Sequence, residues 1–167
     1  MNAQRYLALL GWFRAHPVAK GVLYWVSKGA VVLVYAGYLL MLGTLAWRRD
    51  AAFWPALTVP AAAFLAGTAL RAVIDRPRPY TALGFEPLFP KAVAGQSMPS
   101  RHCFSAAAIA VAAWWAAPPL CGILAVAAVV IAASRVLCGV HYPSDVVAGL
   151  AFGVAVALVG LALWGCL

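Results

Sequence analysis

The chain has 167 residues, of which 66% are hydrophobic and only 10% are charged. Soluble domains carry about 25% charged residues, so this composition excludes an ordinary soluble domain and indicates an integral membrane protein. The formal net charge is +8. Because the basic residues stand between apolar segments, they favour anionic lipid as a partner and argue against nucleic acid.

The first predicted element is an amphipathic helix in the segment MNAQRYLALLGWFRAH. Arg5 and Arg14 enclose an apolar stretch that is too short to cross a hydrocarbon core about 30 Å thick. The segment also lacks the small-residue cleavage site of a signal peptide. We therefore expect residues 1–17 to lie at the membrane interface and residues 18–167 to form the transmembrane bundle of a single domain, 1–167.

Five apolar segments follow and predict an all-α fold with about five transmembrane helices. Lys28 lies within the first segment, near enough to its end for the side chain to reach the interface. A loop rich in proline and glycine, from Ala72 to Pro99, separates the second segment from the third, and its length suggests function. The expected segments are residues 21–47, 51–70, about 100–117, about 120–134 and 145–167.

Counting membrane crossings places every polar cluster on one side of the membrane. The second segment ends, the third begins, the fourth ends and the fifth begins on that side, which we call the basic face. Its clusters are residues 71–79, 99–102 and 134–145, so the predicted catalytic face is formed by 71–102 and 134–145. The opposite face carries only Arg48, Arg49 and Asp50, the proline turn and the C-terminus.

Several arginines converge on the basic face. A guanidinium group presents a fixed fork of donors that matches phosphate oxygens, so their convergence indicates a phosphate site. Ser100 stands where the third helix begins, and the free N–H groups of a helix start favour an anion. The alternative is that individual arginines only anchor the helices at the membrane edge. The arginines concerned are Arg71, Arg76, Arg78, Arg101 and Arg135.

Two histidines and one carboxylate share this face. His141 and Asp145 are four residues apart, which places them on one side of a helix start. A carboxylate that accepts from one imidazole nitrogen makes the other nitrogen a better nucleophile. His102 can then donate a proton to a leaving oxygen. His16 has no such neighbours and is expected to be structural.

A metal centre built from Cys103, Cys138, His102 and His141 was the competing interpretation. Their spacing does not match a zinc motif, and the surrounding arginines would repel a cation. We therefore expect no metal and no cofactor.

The three polar segments resemble the motifs of the phosphatidic acid phosphatase type 2 superfamily, K-x6-RP, PSGH and SR-x5-H-x3-D. Two positions depart from the pattern. Arg71 replaces the usual lysine, and Arg101 replaces the usual glycine. Arg101 either points away from the phosphate or contacts a second one. The segments read Arg71-AVIDRP-Arg78-Pro79, Pro99-Ser100-Arg101-His102 and Ser134-Arg135-VLCGV-His141-YPS-Asp145.

The resemblance implies a membrane lipid phosphatase that works through a phosphohistidine and needs no metal. It implies that His141 is the nucleophile, that Asp145 orients it and that His102 protonates the leaving group. The phosphoryl oxygens would be bound by Arg71, Arg78, Ser100 and Arg135, with Arg101 as a further candidate.

The substrate implied is a lipid phosphate, with undecaprenyl pyrophosphate as the first choice and phosphatidate or phosphatidylglycerophosphate as alternatives. A non-catalytic lipid-phosphate binding or transport protein, and an enzyme for a soluble phosphate ester, remain rivals. The resemblance places the active site on the extracytoplasmic side of the cell membrane. A count of basic residues outside the predicted site, five on the basic face against two opposite, favours the cytoplasmic side instead. The sequence predicts no oligomeric state.

Overall fold

The computed structural model describes residues 2–165. It is all-helical over that range, with no strand, which confirms the predicted fold class. The elements are α1 (Ala3–Ala15), α2 (Pro17–Trp47), α3 (Phe53–Ile74), α4 (Pro79–Ala82), α5 (Arg101–Ala116), α6 (Pro118–Leu137) and α7 (Pro143–Leu163).

Within residues 2–165, four helical segments are long and apolar enough to cross a membrane. The fifth predicted span, α5, has 16 residues and is therefore about 24 Å long. It packs against α2, α3, α6 and α7, and ten of its residues are buried. A helix in the middle of the bundle is largely shielded from lipid, so the length of α5 need not match the thickness of the hydrocarbon core. The four long segments are Pro17–Trp47, Phe53–Ala82, Pro118–Leu137 and Pro143–Leu163.

Glycines on α7 allow this helix to contact α5 backbone to backbone. A Cβ atom added at Gly153 would lie 2.3 Å from the carbonyl oxygen of Phe104, and one at Gly149 would lie 2.9 Å from that of Ser100. Small residues are the usual means of close approach between membrane helices. The close approach brings the starts of α5 and α7 together, and the backbone N–H of Ser100 donates to the carbonyl oxygen of Asp145 at 2.9 Å.

A helix, α1, stands where the interfacial helix was predicted, and it packs against the basic face. Tyr6 and Leu10 are fully buried. They belong to an apolar cluster with Phe85 and Leu88 of the loop and Val140 before α7. This cluster fixes α1 beside the segment that carries His141.

Several predicted boundaries shift, and the first span begins at Pro17 and not at residue 21. The last helix begins at Pro143 and not at Asp145, because proline at the first helical position needs no hydrogen-bond partner for its nitrogen. It ends at Leu163, and residues 166 and 167 of the predicted span lie outside the described residues. α3 extends to Ile74, so the loop starts at Asp75 and not at Ala72. Asp75 takes the left-handed conformation that often ends a helix.

Candidate active site

Two backbone hydrogen bonds hold the ends of the long loop together. The N–H of Ser97 donates to the carbonyl oxygen of Arg76 at 2.8 Å, and the N–H of Arg78 donates to that of Ala94 at 3.0 Å. The loop therefore returns close to the end of α3 before α5 begins. This path brings Arg78 and Ser97 to the same place as the starts of α5 and α7.

A cavity of about 170 Å³ lies on the basic face between the loop and the ends of α3, α5 and α6. Six of the eight predicted site residues line it, whereas Ser100 and Asp145 do not. Five of the lining side chains are basic and none is acidic, so the cavity has the electrostatic character of an anion site. Its lining residues are Arg71, Arg78, Lys91, Val93, Gln96, Arg101, His102, Arg135, Val140 and His141.

The arginines keep donors free for a ligand. Arg71 uses Nη1 to donate to the carbonyl oxygen of Pro99 at 2.8 Å, and Arg78 uses Nε to donate to that of Gly95 at 3.1 Å. The buried Nε atoms of Arg71 and Arg135 have no hydrogen-bond partner within residues 2–165. Because an unsatisfied buried donor is costly, these atoms indicate that an acceptor such as a phosphate oxygen belongs in the cavity.

His141 is buried and turns Nδ1 away from the cavity. This nitrogen lies 3.3 Å from Oγ of Ser97 and 3.6 Å from Oδ2 of Asp145. The hydroxyl of Ser97 donates to Oδ2 at 2.5 Å, so the network assigns the proton to Nδ1, with Ser97 between imidazole and carboxylate. His141 thus keeps Nε2 unprotonated and free on the cavity side.

Burial lowers the pKa of His141 below its ordinary value of 6.5, and the charge of Arg78 acts in the same direction. The nearby carboxylate of Asp145 opposes this shift. The net effect favours the neutral imidazole, which is the form that has a nucleophilic lone pair.

Asp145 is fully buried and fully engaged. Its Oδ1 accepts from Nη1 of Arg76 at 2.7 Å, and its Oδ2 accepts from the backbone N–H of Tyr142 at 2.9 Å as well as from Ser97. A buried carboxylate held by several donors stays ionised and fixed in position. It can therefore act on His141 only by orientation and electrostatics.

Helix α1 holds the backbone of His141. The hydroxyl of Tyr6 donates to the carbonyl oxygen of His141 at 3.0 Å, and its ring stacks on Phe85 with the centroids 5.1 Å apart. Burial raises the pKa of Tyr6, so the phenol remains a donor. α1 thereby contributes to the position of His141.

Ser100 does not occupy the place predicted for it. Its hydroxyl is buried, without a hydrogen-bond partner in the described part of the chain, and its N–H is used by Asp145. Gly149 causes this, because it lets α7 approach the start of α5. At the start of α5, the backbone N–H groups of Arg101 and His102 make none of the described backbone hydrogen bonds. These two groups, and not that of Ser100, are therefore available to an anion.

Arg101 lines the cavity, although it is exposed. Its guanidinium carbon lies 5.9 Å from the centre of the Phe64 ring on α3. The sequence left two alternatives for Arg101, that it points away from the phosphate or that it contacts a second one. Because Arg101 lines the cavity, its side chain does not point away from the site.

Sequence reasoning missed three residues of the site, Ser97, Gln96 and Lys91. Ser97 and Gln96 lie in a loop without periodicity, and nothing in the sequence marked them. Arg76 was grouped with the arginines expected to converge on a phosphate. In the structure it does not line the cavity and instead pairs with the buried carboxylate of Asp145.

Comparison with known proteins supplies the family. A family model for the PAP2 superfamily matches residues 51–165. The chain therefore belongs to the PAP2 superfamily. Membership confirms the resemblance drawn from the three motifs and the expected enzyme class, a lipid phosphatase that hydrolyses phosphoric esters. The PAP2 match begins at the turn before α3, so α1 and α2 lie outside it.

Two solved structures share the fold. LpxE from Aquifex aeolicus superposes with a TM-score of 0.73 at 22% identity, covering 96% of this chain and 94% of that one. A transmembrane PAP2-type phosphatidylglycerolphosphate phosphatase from Bacillus subtilis superposes with a TM-score of 0.64 at 23% identity, covering 97% and 93%. At these identities the two structures support the fold, including α1 and α2, and not a substrate. Among curated proteins, none matches the sequence.

Proposed function

We propose that this PAP2 protein removes a phosphate group from a membrane lipid through a phosphohistidine formed on His141, without a metal ion. The observation that carries the proposal is the direction of His141. Its Nδ1 is engaged by Ser97 and Asp145 at the back, while the ring borders a cavity whose charged lining is wholly basic. The arginines supply the positive charge that a metal provides in other phosphatases.

In the first step the lone pair of Nε2 of His141 attacks phosphorus and forms a nitrogen–phosphorus bond. The bond from phosphorus to the leaving oxygen breaks, and that oxygen takes a proton from His102. Arg71, Arg78 and Arg135 bind the equatorial oxygens, whose charge they stabilise. Asp145 stabilises the positive charge that develops on the imidazole ring.

In the second step water hydrolyses the phosphohistidine. His102, now neutral, takes a proton from the water as its oxygen attacks phosphorus. The nitrogen–phosphorus bond breaks, its electron pair returns to Nε2, and inorganic phosphate leaves. Both histidines then have the protonation states with which they began.

The substrate carries its phosphate at headgroup level. The cavity lies at the end of an apolar bundle, so the lipid tail remains in the bilayer beside the helices. Undecaprenyl pyrophosphate is the first choice, as the family resemblance implied. Phosphatidylglycerophosphate is the main alternative, since one of the structural neighbours is a phosphatase for that lipid, and phosphatidate is the second.

Phosphate release from these lipids, measured with and without EDTA, tests the proposal. We expect release from at least one lipid phosphate, equal in both conditions, and slower release from soluble esters. Tight binding without release would favour the lipid-binding or transport protein instead. A loss of activity in EDTA that is restored by a metal would contradict the metal-independent mechanism.

We propose that the active site faces the extracytoplasmic side of the cell membrane. The count of basic residues that favours the cytoplasmic side loses two members of the basic face. Arg76 pairs with Asp145, and Lys91 lines the cavity, so neither serves only as a membrane anchor. Labelling of single cysteines in intact cells with a membrane-impermeant maleimide tests the orientation. Glu86→Cys, on the exposed loop, should react and Arg48→Cys should not; the opposite pattern would overturn it. The basic residues that remain in the count are Arg5, Arg14 and Lys20 against Arg48 and Arg49.

The pH dependence of kcat/KM should show an acid limb with a midpoint below pH 6.5. His141 attacks only when Nε2 is unprotonated, so activity falls as the pH drops through its pKa, which burial lowers. The measurement is kcat/KM between about pH 4 and pH 8 in detergent micelles. The ionisation of the substrate phosphate is determined separately by phosphorus NMR and divided out. A midpoint clearly above 6.5 would contradict a neutral His141 as the nucleophile.

A further inference from the structure

A second cavity, of about 130 Å³, adjoins the catalytic one. It lies between α2, the end of α6 and the long loop. Lys91, Arg135 and Val140 line both cavities, so these residues form the boundary between them. On its far side the second cavity is lined by Tyr24 and Lys28 of α2.

The charge of this second cavity is basic and uncompensated. Three of its lining residues are cations, Lys28, Lys91 and Arg135, and none is acidic. Within residues 2–165, the ion pairs are those of Asp145 with Arg76 and with His141. No carboxylate oxygen of these residues therefore lies within 4 Å of the charged nitrogen atoms of Lys28, Lys91 or Arg135. Clustered cations without a carboxylate indicate that an external anion completes the site.

Lys28 is exposed and lines the second cavity from α2. It lies about three turns inside this helix, and it shares the cavity with Arg135 at the end of α6. The neighbouring Ser27 is buried and hydrogen-bonds to Ser134 of α6 at 3.1 Å, which fixes this part of α2 against α6. The ammonium group packs 4.9 Å from the centre of the Tyr24 ring. The contact of Ser27 with Ser134 and the contact of the ammonium group with Tyr24 therefore hold Lys28 beside the cavity.

Arg135 connects the two cavities. It lies at the end of α6, lines both, and its buried Nε lacks an acceptor in the described part of the chain. A guanidinium group has five N–H donors and can bind two phosphate groups at once. An anion beside the scissile phosphate would satisfy both Arg135 and Lys28.

We propose that the second cavity binds a second phosphate group of the substrate, next to the one that is cleaved, and that Lys28 selects for it. This inference rests on the proposed function. It narrows the substrate class to lipids with two phosphates, either a diphosphate or a monoester attached to a phosphodiester headgroup. The role falls to Lys28 and not to Arg101, because Arg101 lines the catalytic cavity alone and packs over Phe64 on the far helix.

The test compares specificity ratios. For the parent, kcat/KM is measured for a polyprenyl diphosphate, for phosphatidylglycerophosphate and for phosphatidate, which has one phosphate. In Lys28→Met the ratio of the preferred two-phosphate lipid to phosphatidate should fall about tenfold or more, mainly through KM, since one charged contact is lost. The two-phosphate lipid whose ratio falls further identifies the source of the second phosphate.

Two variants serve as controls. Lys20→Met removes another lysine of α2, which packs over the Phe89 ring and does not line the cavity, and it should keep the parent ratio. Arg101→Gly should slow both kinds of lipid alike. An unchanged ratio in Lys28→Met, or a fall confined to Arg101→Gly, would overturn the proposal.

Binding of inorganic ions separates this inference from the catalytic proposal. By calorimetry in EDTA, the parent should bind inorganic pyrophosphate more tightly than orthophosphate, and Lys28→Met should lose that preference. Should the parent hydrolyse no lipid phosphate, the proposed function fails, while a pyrophosphate preference that depends on Lys28 still supports the second cavity. Equal affinity for the two ions in the parent would overturn the second cavity whatever the turnover.

Discussion

Replacing His141 by alanine is expected to abolish phosphate release, with kcat lower by about 10³-fold or more. The reason is that the variant has no atom that can form the covalent bond to phosphorus, whereas the basic cavity still binds the substrate. The measurement is release of inorganic phosphate from the best lipid substrate, with protein quality checked by gel filtration and thermal unfolding in detergent.

His16→Ala is the matched control for this variant. His16 is exposed and stacks on Trp12 with the ring centroids 4.4 Å apart. Its Nδ1 lies 2.8 Å from the carbonyl oxygen of Trp12. It should keep the parent rate. A folded His141→Ala protein that releases phosphate at more than a few per cent of the parent rate would show that another group or water attacks phosphorus.

Replacing Asp145 by asparagine should lower kcat by about 10² to 10⁴-fold, the range that follows when a buried carboxylate that orients a catalytic histidine becomes an amide. The amide has nearly the same shape but no charge to stabilise the developing imidazolium. It also leaves Arg76 without its partner, so thermal stability should fall as well.

Arg76→Met separates orientation from stability. This variant removes the same ion pair from the other side but leaves the carboxylate of Asp145 in contact with Ser97 and the N–H of Tyr142. Its loss of kcat should be clearly smaller than that of Asp145→Asn, with a comparable loss of stability. Equal losses of kcat in the two variants would contradict the orienting role of Asp145.

The sequence was sufficient to predict the all-helical membrane fold and the assembly of the polar segments at one end of it. Charge-free segments long enough to cross a bilayer show where the helices lie, and their alternation in direction shows which ends meet. That argument brought Arg71, His102, Arg135 and His141 together, and the structure places all four around one cavity.

Features that depend on the path of the chain were not predictable. Ser97 reaches His141 because the loop returns beside Arg76, and no periodicity encodes such a return. Ser100 was assigned to the phosphate because it precedes a helix, whereas the approach of α7 at Gly149 turns its N–H to Asp145. Lys28 was interpreted as a residue that reaches the interface, and only the packing of α2 against α6 places it beside Arg135.

Trapping of the covalent intermediate tests the mechanism most directly. The parent protein is mixed with a lipid phosphate labelled with phosphorus-32 at its terminal phosphate, quenched in alkali during the first turnover, and digested. The account predicts label on the peptide that contains His141, stable in alkali and released by acid as phosphohistidine is, and no label in His141→Ala. Turnover at the full rate without label on that peptide would contradict it.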